Sequence, residues 1–470
     1  MLKNRVFFLI CAICAATGIL LRITYIPAPL TYDETFTVVT ASPDFGVFYI
    51  LKYFLIPDVH PPLYNLTLYL WNHVFPAMTK TTSIIPSGIF SLVSILSAWF
   101  LFPKYLPKTQ KIIFFTLICI SPLVIKHSFE VRSYSFMLML SLFLTFFCVN
   151  LAQKIKDVNE INFKEFALYF ILTAALSATH YFGSIVAGVY FIILAGTALK
   201  YKKYFWHFCA AYGLFLALFL PWLIWHYFAQ IEAANGGWWG TSELVLAELL
   251  NDVFINVFAG TLPAVFLAIS GIYVLLKAKK TSEELKETSV TFSFTAVVLT
   301  LFFCLLLQPK LTFFMGRFFT ALLPCLFLLF SFVMCRAQKQ NRYFMFVNAI
   351  ILVSMLCISL QNIFDYKVNT GGKTAAEYLT QNSNGSKNFY FYSRNFYPKK
   401  SEALVFGYYI KVPGAKVINI NEPEGLSYLK KHDKNALVWI PINNFGGLPP
   451  FTKVKCIKQD CFIRINTNEQ

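Results

Sequence analysis

Tyr32-Asp33-Glu34 opens, and His60-Pro61-Pro62-Leu63-Tyr64 closes, the stretch that decides how the rest of the chain is interpreted. The stretch follows the first long apolar segment directly, so two adjacent carboxylates stand at the mouth of a hydrophobic span. Because charge beside hydrocarbon is costly unless it faces water or a partner, these carboxylates indicate a functional site. Asp33 is a candidate general base, since partial desolvation makes a carboxylate more basic. The alternative is that Asp33-Glu34 caps an interfacial helix starting at Thr35, and these residues alone leave both interpretations open.

The composition is that of a membrane protein with several spans. Of 470 residues, 57% are hydrophobic and only 13% are charged, and the mean hydropathy is +0.59. These values exclude an ordinary soluble globule. The net charge of +17 indicates basic residues that set the orientation of the chain in the membrane and contact lipid headgroups. We expect no nucleic-acid partner.

Apolar segments of about twenty residues predict eleven membrane spans. The predicted spans are Val6–Ile26, Ser83–Phe102, Ile112–His127, Ser133–Ala152, Phe166–Gly183, Ser184–Leu199, Phe205–Tyr227, Asn256–Leu276, Val290–Gln308, Phe318–Cys335 and Tyr343–Ile363. Leu63–Met78 is also apolar. If it crossed the bilayer, the basic loop at Lys104 would fall outside and every later loop would invert. We therefore predict an interfacial helix there, a cytoplasmic N-terminus and an extracytoplasmic C-terminus.

This topology predicts that the polar residues near the membrane all lie at the outer face. They are Asp33, Glu34, His60, Glu130, Arg132, His180, Lys310 and Arg317. A random scatter would divide such residues between the two faces, so the one-sided cluster predicts a site at the outer surface.

Several members of the cluster also have a plainer interpretation. Glu130 and Arg132 would form a simple ion pair, and a lone His180 at a span end is more often a cap than a ligand. Lys310 and Arg317 would bind either phospholipid headgroups or one specific phosphate. The Gly- and Trp-rich loop 235–240 is either an interfacial anchor or a loop that closes over a ligand.

The chain becomes polar from Asp365 onward, and its pattern predicts a small α/β domain of alternating helices and strands. The predicted elements are helices at Lys373–Gln381, Ser401–Ile410 and Leu426–His432, strands at Asn388–Tyr392, Lys416–Ile420 and Ala436–Ile440, and a hairpin within Val454–Ile465. Cys456 and Cys461 in this exported tail are predicted to form a disulfide, with two free thiols as the alternative.

Taken together, the motifs resemble those of the family 39 membrane glycosyltransferases, which include protein O-mannosyltransferases and aminoarabinose transferases. The motifs are the Asp33-Glu34 pair, His60-Pro61-Pro62-Leu63-Tyr64, Glu130-Val131-Arg132-Ser133-Tyr134, Thr179-His180-Tyr181, and Arg317 before a span with Pro324. The resemblance covers roughly residues 6–324. The chain departs from the common pattern at Val131, Ser133 and Phe318.

The resemblance implies a helical GT-C fold in residues 1–364, with the small α/β domain in 365–470. It implies a glycosyltransferase of the cytoplasmic (inner) membrane that takes a sugar from a polyprenyl-phosphate donor. The acceptor would be a glycolipid, a glycan or a protein. The implied catalytic residues are Asp33 and Glu34. The implied substrate-binding residues are His60, Tyr64, Glu130, Arg132, Tyr134, His180, Tyr181, Lys310 and Arg317.

The chemistry of these residue types agrees with sugar transfer from a lipid phosphate. Arg binds phosphate oxygens in pairs and stabilises charge that develops on the leaving phosphate. A base on the opposite side of the sugar, such as Asp33, would give inversion. No residue set of the sequence predicts a metal site, although the outer carboxylates leave room for a divalent ion held with the donor phosphate.

Three alternatives to single-sugar transfer remain at this point. One is transfer or polymerisation of a whole lipid-linked glycan, and another is a non-catalytic assembly subunit. The third is a transporter or flippase of lipid-linked sugar, a class that places charge at mid-membrane and has inverted repeats. The sequence has neither feature, which disfavours transport.

Overall fold

The structure is a computed structural model of the chain. It describes the residues 2–24, 30–56, 58, 60–157, 159–235, 255, 257–277, 287–307, 316–364, 373–383, 385–392, 405–410, 412–421, 423–433, 435–441, 454–457 and 460–466.

Long helices form the body of the molecule. Its helices are α1 Leu2–Thr24, α2 Tyr32–Thr40, α3 Val47–Ile50, α4 Leu63–Val74, α5 Lys80–Phe100, α6 Lys108–Ile120, α7 Pro122–Lys126, α8 Tyr134–Lys156, α9 Phe163–Thr179, α10 Tyr181–Lys200, α11 Phe205–Asn235, α12 Thr261–Leu276, α13 Thr288–Leu307, α14 Leu323–Gln340 and α15 Phe344–Phe364. A π-helical turn, Leu51–Leu55, continues α3, and a 3₁₀ turn, Gly316–Ala321, precedes α14.

Seven of these helices are long and apolar enough to cross a membrane: α1, α5, α8, α10, α11, α13 and α15. The other four predicted spans coincide with α6–α7, α9, α12 and α14, which are shorter or more polar. Every predicted span therefore matches a helix, while the number of crossings stays a prediction.

The first loop consists of short helices, as expected for an interfacial segment. Helix α4 has 12 residues, so it is about 18 Å long and shorter than the hydrocarbon core of about 30 Å. Helix α2 begins at Tyr32 and not at Thr35, the start that the capping alternative assumed. The reason is a capping box, in which Thr31 accepts the Glu34 N–H and Glu34 accepts the Thr31 N–H.

The predicted span Ile112–His127 is divided into α6 and α7. Pro122 has no N–H to donate, so α6 ends at Ile120 and leaves carbonyls without helical partners. Arg22 of α1 donates to the Ile118 and Cys119 carbonyls at 2.9 and 2.6 Å. Ser359 of α15 donates to the Ile120 carbonyl at 2.7 Å. Arg22 is buried and was not among the predicted functional residues.

The α/β domain follows its predicted pattern closely. It contains α16 Lys373–Asn382, β1 Asn388–Phe391, a short helix at 405–409, β2 Lys416–Asn419, α17 Pro423–His432, β3 Asn435–Pro441, β4 Val454–Ile457 and β5 Asp460–Asn466. The sheet order is β2-β1-β3-β5-β4. The first three strands are parallel, and β5 runs antiparallel to both of its neighbours. The domain boundary predicted at Asp365 lies outside the described residues.

Candidate active site

Glu34 joins two segments of the site through its carboxylate. Oε2 accepts the Thr31 N–H at 2.8 Å, and Oε1 accepts the Val131 N–H of the loop between α7 and α8 at 2.9 Å. The side chain is buried, with 6% of its surface exposed. Burial, and then the nearby Glu130 carboxylate, raise the pKa of Glu34. Both carboxylate oxygens thus accept backbone N–H groups, and these bonds hold α2 against the loop between α7 and α8.

Asp33 has different surroundings, although it is the adjacent residue. Its side chain is partly exposed, and within the described ranges its carboxylate has no hydrogen bond or ion pair. Its backbone carbonyl accepts the Thr37 hydroxyl at 2.8 Å, as the α-helical geometry allows. Among the described residues, Asp33 therefore presents a carboxylate without a hydrogen-bond partner at the first turn of α2.

Arg132 lies beside that turn, and three contacts fix its guanidinium. Nη1 donates to Thr37 Oγ1 at 3.1 Å and approaches the Asp33 carbonyl at 3.5 Å, and Nη2 donates to His60 Nε2 at 3.0 Å. Burial opposes the positive charge, but Asp33 above all, then Tyr134, Asp58 and Glu130, raise the pKa of Arg132. Arg132 is therefore a permanent cation beside the Asp33 carboxylate.

The Arg132 contact determines the tautomer of His60. A guanidinium only donates hydrogen bonds, so His60 Nε2 must accept and the ring proton resides on Nδ1. Nδ1 faces the Asp58 carboxylate, at 3.3 Å from Oδ2 and 3.5 Å from Oδ1. Asp58, His60 and Arg132 thus form a chain in which the carboxylate orients the imidazole and the imidazole orients the guanidinium.

Glu130 pairs chiefly with a residue that was not predicted. His127 Nδ1 and Glu130 Oε2 form a short contact, whereas the predicted plain ion pair joined Glu130 to Arg132. Burial would raise the pKa of Glu130, but His127, and then Arg132 and Arg317, outweigh it and hold the pKa below its ordinary value. Glu130 therefore remains an anion near the two arginines, Arg132 and Arg317.

The Arg317 side chain lies near Glu130 and Tyr134 and belongs to the 3₁₀ turn before α14. Its guanidinium carbon lies 6.0 Å from the Tyr134 ring centre and 5.6 Å from that of Phe318. Rings at this distance favour a cation over their faces. Arg317 also acts electrostatically on Glu130. The second predicted cation is therefore on the same end of the bundle as Arg132.

His180 is the single residue between α9 and α10. Its Nδ1 accepts the Phe182 N–H at 3.1 Å, so it caps α10. The predicted boundary between these spans, at Gly183, is therefore three residues late. Nε2 is buried and has no hydrogen-bond partner among the described residues. The ring centre lies 4.7 Å from that of Phe318 and 5.8 Å from that of His60.

The predicted tyrosines differ in their surroundings. Tyr64 is buried, and its hydroxyl bonds Ser87 of α5 at 2.8 Å. Tyr134 is also buried, and its hydroxyl has no hydrogen-bond partner in the described part of the chain. Tyr181 is partly exposed, with its ring centre 5.4 Å from that of His226.

The structure therefore brings together most of the predicted site residues. Lys310 and the Gly- and Trp-rich loop lie outside the described residues, apart from Asn235 at the end of α11. Sequence reasoning missed Thr37, Asp58 and His127. Thr37 lies four residues after Asp33, and Asp58 and His127 lie within three residues of a predicted residue, so helical spacing and proximity were the available signals.

The described residues contain no group of three or more His, Cys, Asp or Glu side chains that fits a metal ion.

Comparisons with known proteins show the fold. ArnT from Cupriavidus metallidurans in the apo state is 10% identical with a TM-score of 0.61, covering 99% of this chain and 98% of that one. ArnT bound to undecaprenyl phosphate is 10% identical with a TM-score of 0.57, covering 97% of both chains. The Archaeoglobus fulgidus oligosaccharyltransferase complex with Zn and sulfate is 12% identical with a TM-score of 0.54, covering 92% of this chain and 68% of that one. No family model and no curated protein sequence matches the chain.

The shared architecture of these proteins is the GT-C fold, and the chain has it over nearly its whole length. This agrees with the predicted fold class, a helical membrane body with a small α/β domain.

Proposed function

We propose that the protein is an integral-membrane glycosyltransferase that moves a sugar from a polyprenyl-phosphate donor to an acceptor at the outer face of the cytoplasmic membrane. One observation carries the proposal: the Asp33 carboxylate, which has no hydrogen-bond partner in the described part of the chain, stands beside Arg132, with Arg317 at the same end of the bundle. The GT-C fold and the crystallisation of ArnT with undecaprenyl phosphate support a lipid-phosphate donor.

In the proposed reaction, Asp33 accepts the proton of an acceptor hydroxyl as that oxygen attacks the anomeric carbon. The bond between the anomeric carbon and the phosphate oxygen breaks, and its electron pair leaves with the polyprenyl phosphate. Arg132 and Arg317 stabilise the charge that develops on this phosphate. Attack opposite the leaving group inverts the anomeric centre.

We assign Glu34 a positioning role, because both of its oxygens accept backbone N–H groups. His60 and Asp58 hold Arg132 in place, and Glu130 balances the charge of the two arginines. Tyr64, Tyr134, His180 and Tyr181 form the surrounding wall, and Lys310 stays a proposed donor contact on the basis of sequence alone.

A second candidate is transfer of a whole lipid-linked glycan. The likeness to the A. fulgidus oligosaccharyltransferase favours it. That protein was crystallised with Zn, so a divalent ion bound together with the donor phosphate also belongs to the proposal. The acceptor, whether glycolipid, glycan or protein, is left open.

The test uses the purified protein in liposomes with polyprenyl-phosphate donors carrying a labelled single sugar or a labelled oligosaccharide. We expect label to move to an acceptor and polyprenyl phosphate to be released, with or without added divalent ions. Asp33→Asn should abolish most transfer. Asp44→Asn is the matched control, because Asp44 is an exposed carboxylate of the same loop that bonds Ser42. Donor that crosses the bilayer with its glycosidic bond intact would contradict the proposal and favour a flippase.

A further inference from the structure

The α/β domain contacts the helix that carries Asp33. Its short helix at 405–409 has two sides with different neighbours. On one side, Phe406 is buried in the domain core, with its ring centre 4.8 Å from that of Trp439. On the other side, Tyr408 packs against the apolar cluster of the first loop, which includes Leu30 and Val38. The short helix therefore connects the core of the α/β domain to the first loop.

Tyr409 makes the polar contacts of this junction. Its hydroxyl lies 2.9 Å from the Leu30 carbonyl oxygen and 2.5 Å from Thr35 Oγ1. Leu30 is three residues before Asp33 and Thr35 is two residues after it. One phenolic hydroxyl thus holds both ends of the turn on which the proposed base lies.

The two hydroxyls have one proton each, which limits how the contacts are made. Tyr409 donates to the Leu30 carbonyl, and Thr35 shares its proton between the Thr31 carbonyl, at 2.9 Å, and the Tyr409 oxygen. Burial raises the pKa of Tyr409 to about 12, against a smaller lowering by the Thr35 hydrogen bond. The phenol therefore keeps its proton at neutral pH and remains a donor to Leu30.

We propose that Tyr409 is a positioning residue for sugar transfer: through Leu30 and Thr35, the α/β domain sets the place of the Asp33 carboxylate. This inference rests on the proposed function. It gives the α/β domain a role in turnover that acts through α2. Arg132 contacts α2 at Thr37 and at the Asp33 carbonyl, but it is also held by His60 outside that helix, so we expect loss of the Tyr409 contacts to affect the base more than the phosphate side.

The decisive comparison is between Tyr409→Phe and Tyr408→Phe. Each substitution removes one hydroxyl from the same junction and keeps the ring, but only the Tyr409 hydroxyl contacts α2 in the described residues. We expect Tyr409→Phe to lower kcat about tenfold, the effect of one or two lost hydrogen bonds. Donor KM should change little. Tyr408→Phe should retain wild-type kcat.

A second measurement does not depend on activity. Hydrogen exchange at the amides of α2 should be faster in Tyr409→Phe than in the wild type and in Tyr408→Phe. Equal exchange in all three proteins, equal kcat in the two variants, or an effect on donor KM alone would each overturn the role of Tyr409. If the wild type transfers no sugar at all, the proposed function itself fails.

Discussion

The adjacent carboxylates of Asp33 and Glu34 have different surroundings in this chain. Glu34 is buried and accepts two backbone N–H groups, whereas Asp33 is partly exposed and accepts none through its carboxylate among the described residues. Sequence alone left the base and the cap as alternatives for the pair. In the structure Glu34 takes part in the capping box of α2, and the assignment of Asp33 as the base stays a prediction.

Asp33→Asn keeps the shape of the side chain and removes its charge and its ability to take a proton. General-base catalysis contributes about 100- to 10,000-fold, so turnover with saturating donor and acceptor should fall by that order. Donor binding should survive, because Arg132 and Arg317 are unchanged. Steady-state kinetics and titration of donor binding measure the two quantities. Near-normal turnover would mean that Asp33 is not the base, and lost donor binding would assign the carboxylate to the donor site.

Arg317→Ala should weaken donor binding and also lower turnover. A phosphate contact made in both the ground state and the transition state affects binding, and a contact that strengthens as charge develops affects kcat as well. Arg317→Lys is the matched control, since it keeps the charge but loses the paired donors. We expect its donor affinity to lie between those of the wild type and Arg317→Ala. Unchanged affinity in both variants would rule out the phosphate contact.

Secondary-structure elements were predictable to within a few residues because their patterns are local. The helix predicted at Lys373–Gln381 spans Lys373–Asn382, and the strand predicted at Ala436–Ile440 spans Asn435–Pro441. Contacts between distant segments were not predictable. The Glu34–Val131 bond joins residues 97 positions apart. No periodicity within either segment encodes such a pairing.

The disulfide prediction concerns the hairpin formed by β4 and β5. In the antiparallel pair of β4 and β5, Cys456 stands directly opposite Cys461. Cβ atoms of directly opposed residues are about 4.5–5.5 Å apart, close to the spacing that a disulfide needs. The side chains of both cysteines lie outside the described residues. Mass spectrometry of protein from its native membrane should find the pair bonded, and two free thiols would refute the prediction.

At the scale of the whole molecule, the candidate site occupies one end of the helical bundle. The segments that form it are the first loop, the loop between α7 and α8, the junction of α9 and α10, and the turn before α14. Contacts among the described residues bring these segments together, because Glu34 bonds Val131, Arg132 bonds His60, and the His180 ring lies beside that of His60. The clustering that the sequence predicted is therefore present in the fold, while the membrane face on which it lies stays a prediction.

The corresponding topology prediction is that this end faces outward and that Lys108 faces the cytoplasm. A cysteine at position 108 of a Cys-light variant should resist a membrane-impermeant thiol reagent in intact cells and react after permeabilisation. A cysteine at Lys416 of the α/β domain is the matched control and should react without permeabilisation. Labelling of position 108 from outside would contradict both the topology and an outward site.

Arg22 also has a consequence for the synthesis of the chain. Two of its carbonyl partners, on Ile118 and Cys119, are made 96 and 97 residues after it. At a translation rate of about 5–20 residues per second, α1 waits roughly 5–20 s for them. During that interval its partner among the described residues is the Gly18 carbonyl of α1 itself, so we expect the guanidinium to stay hydrated near the membrane surface. We therefore predict that the first helix reaches its final depth only after α6 arrives, in a delayed docking step.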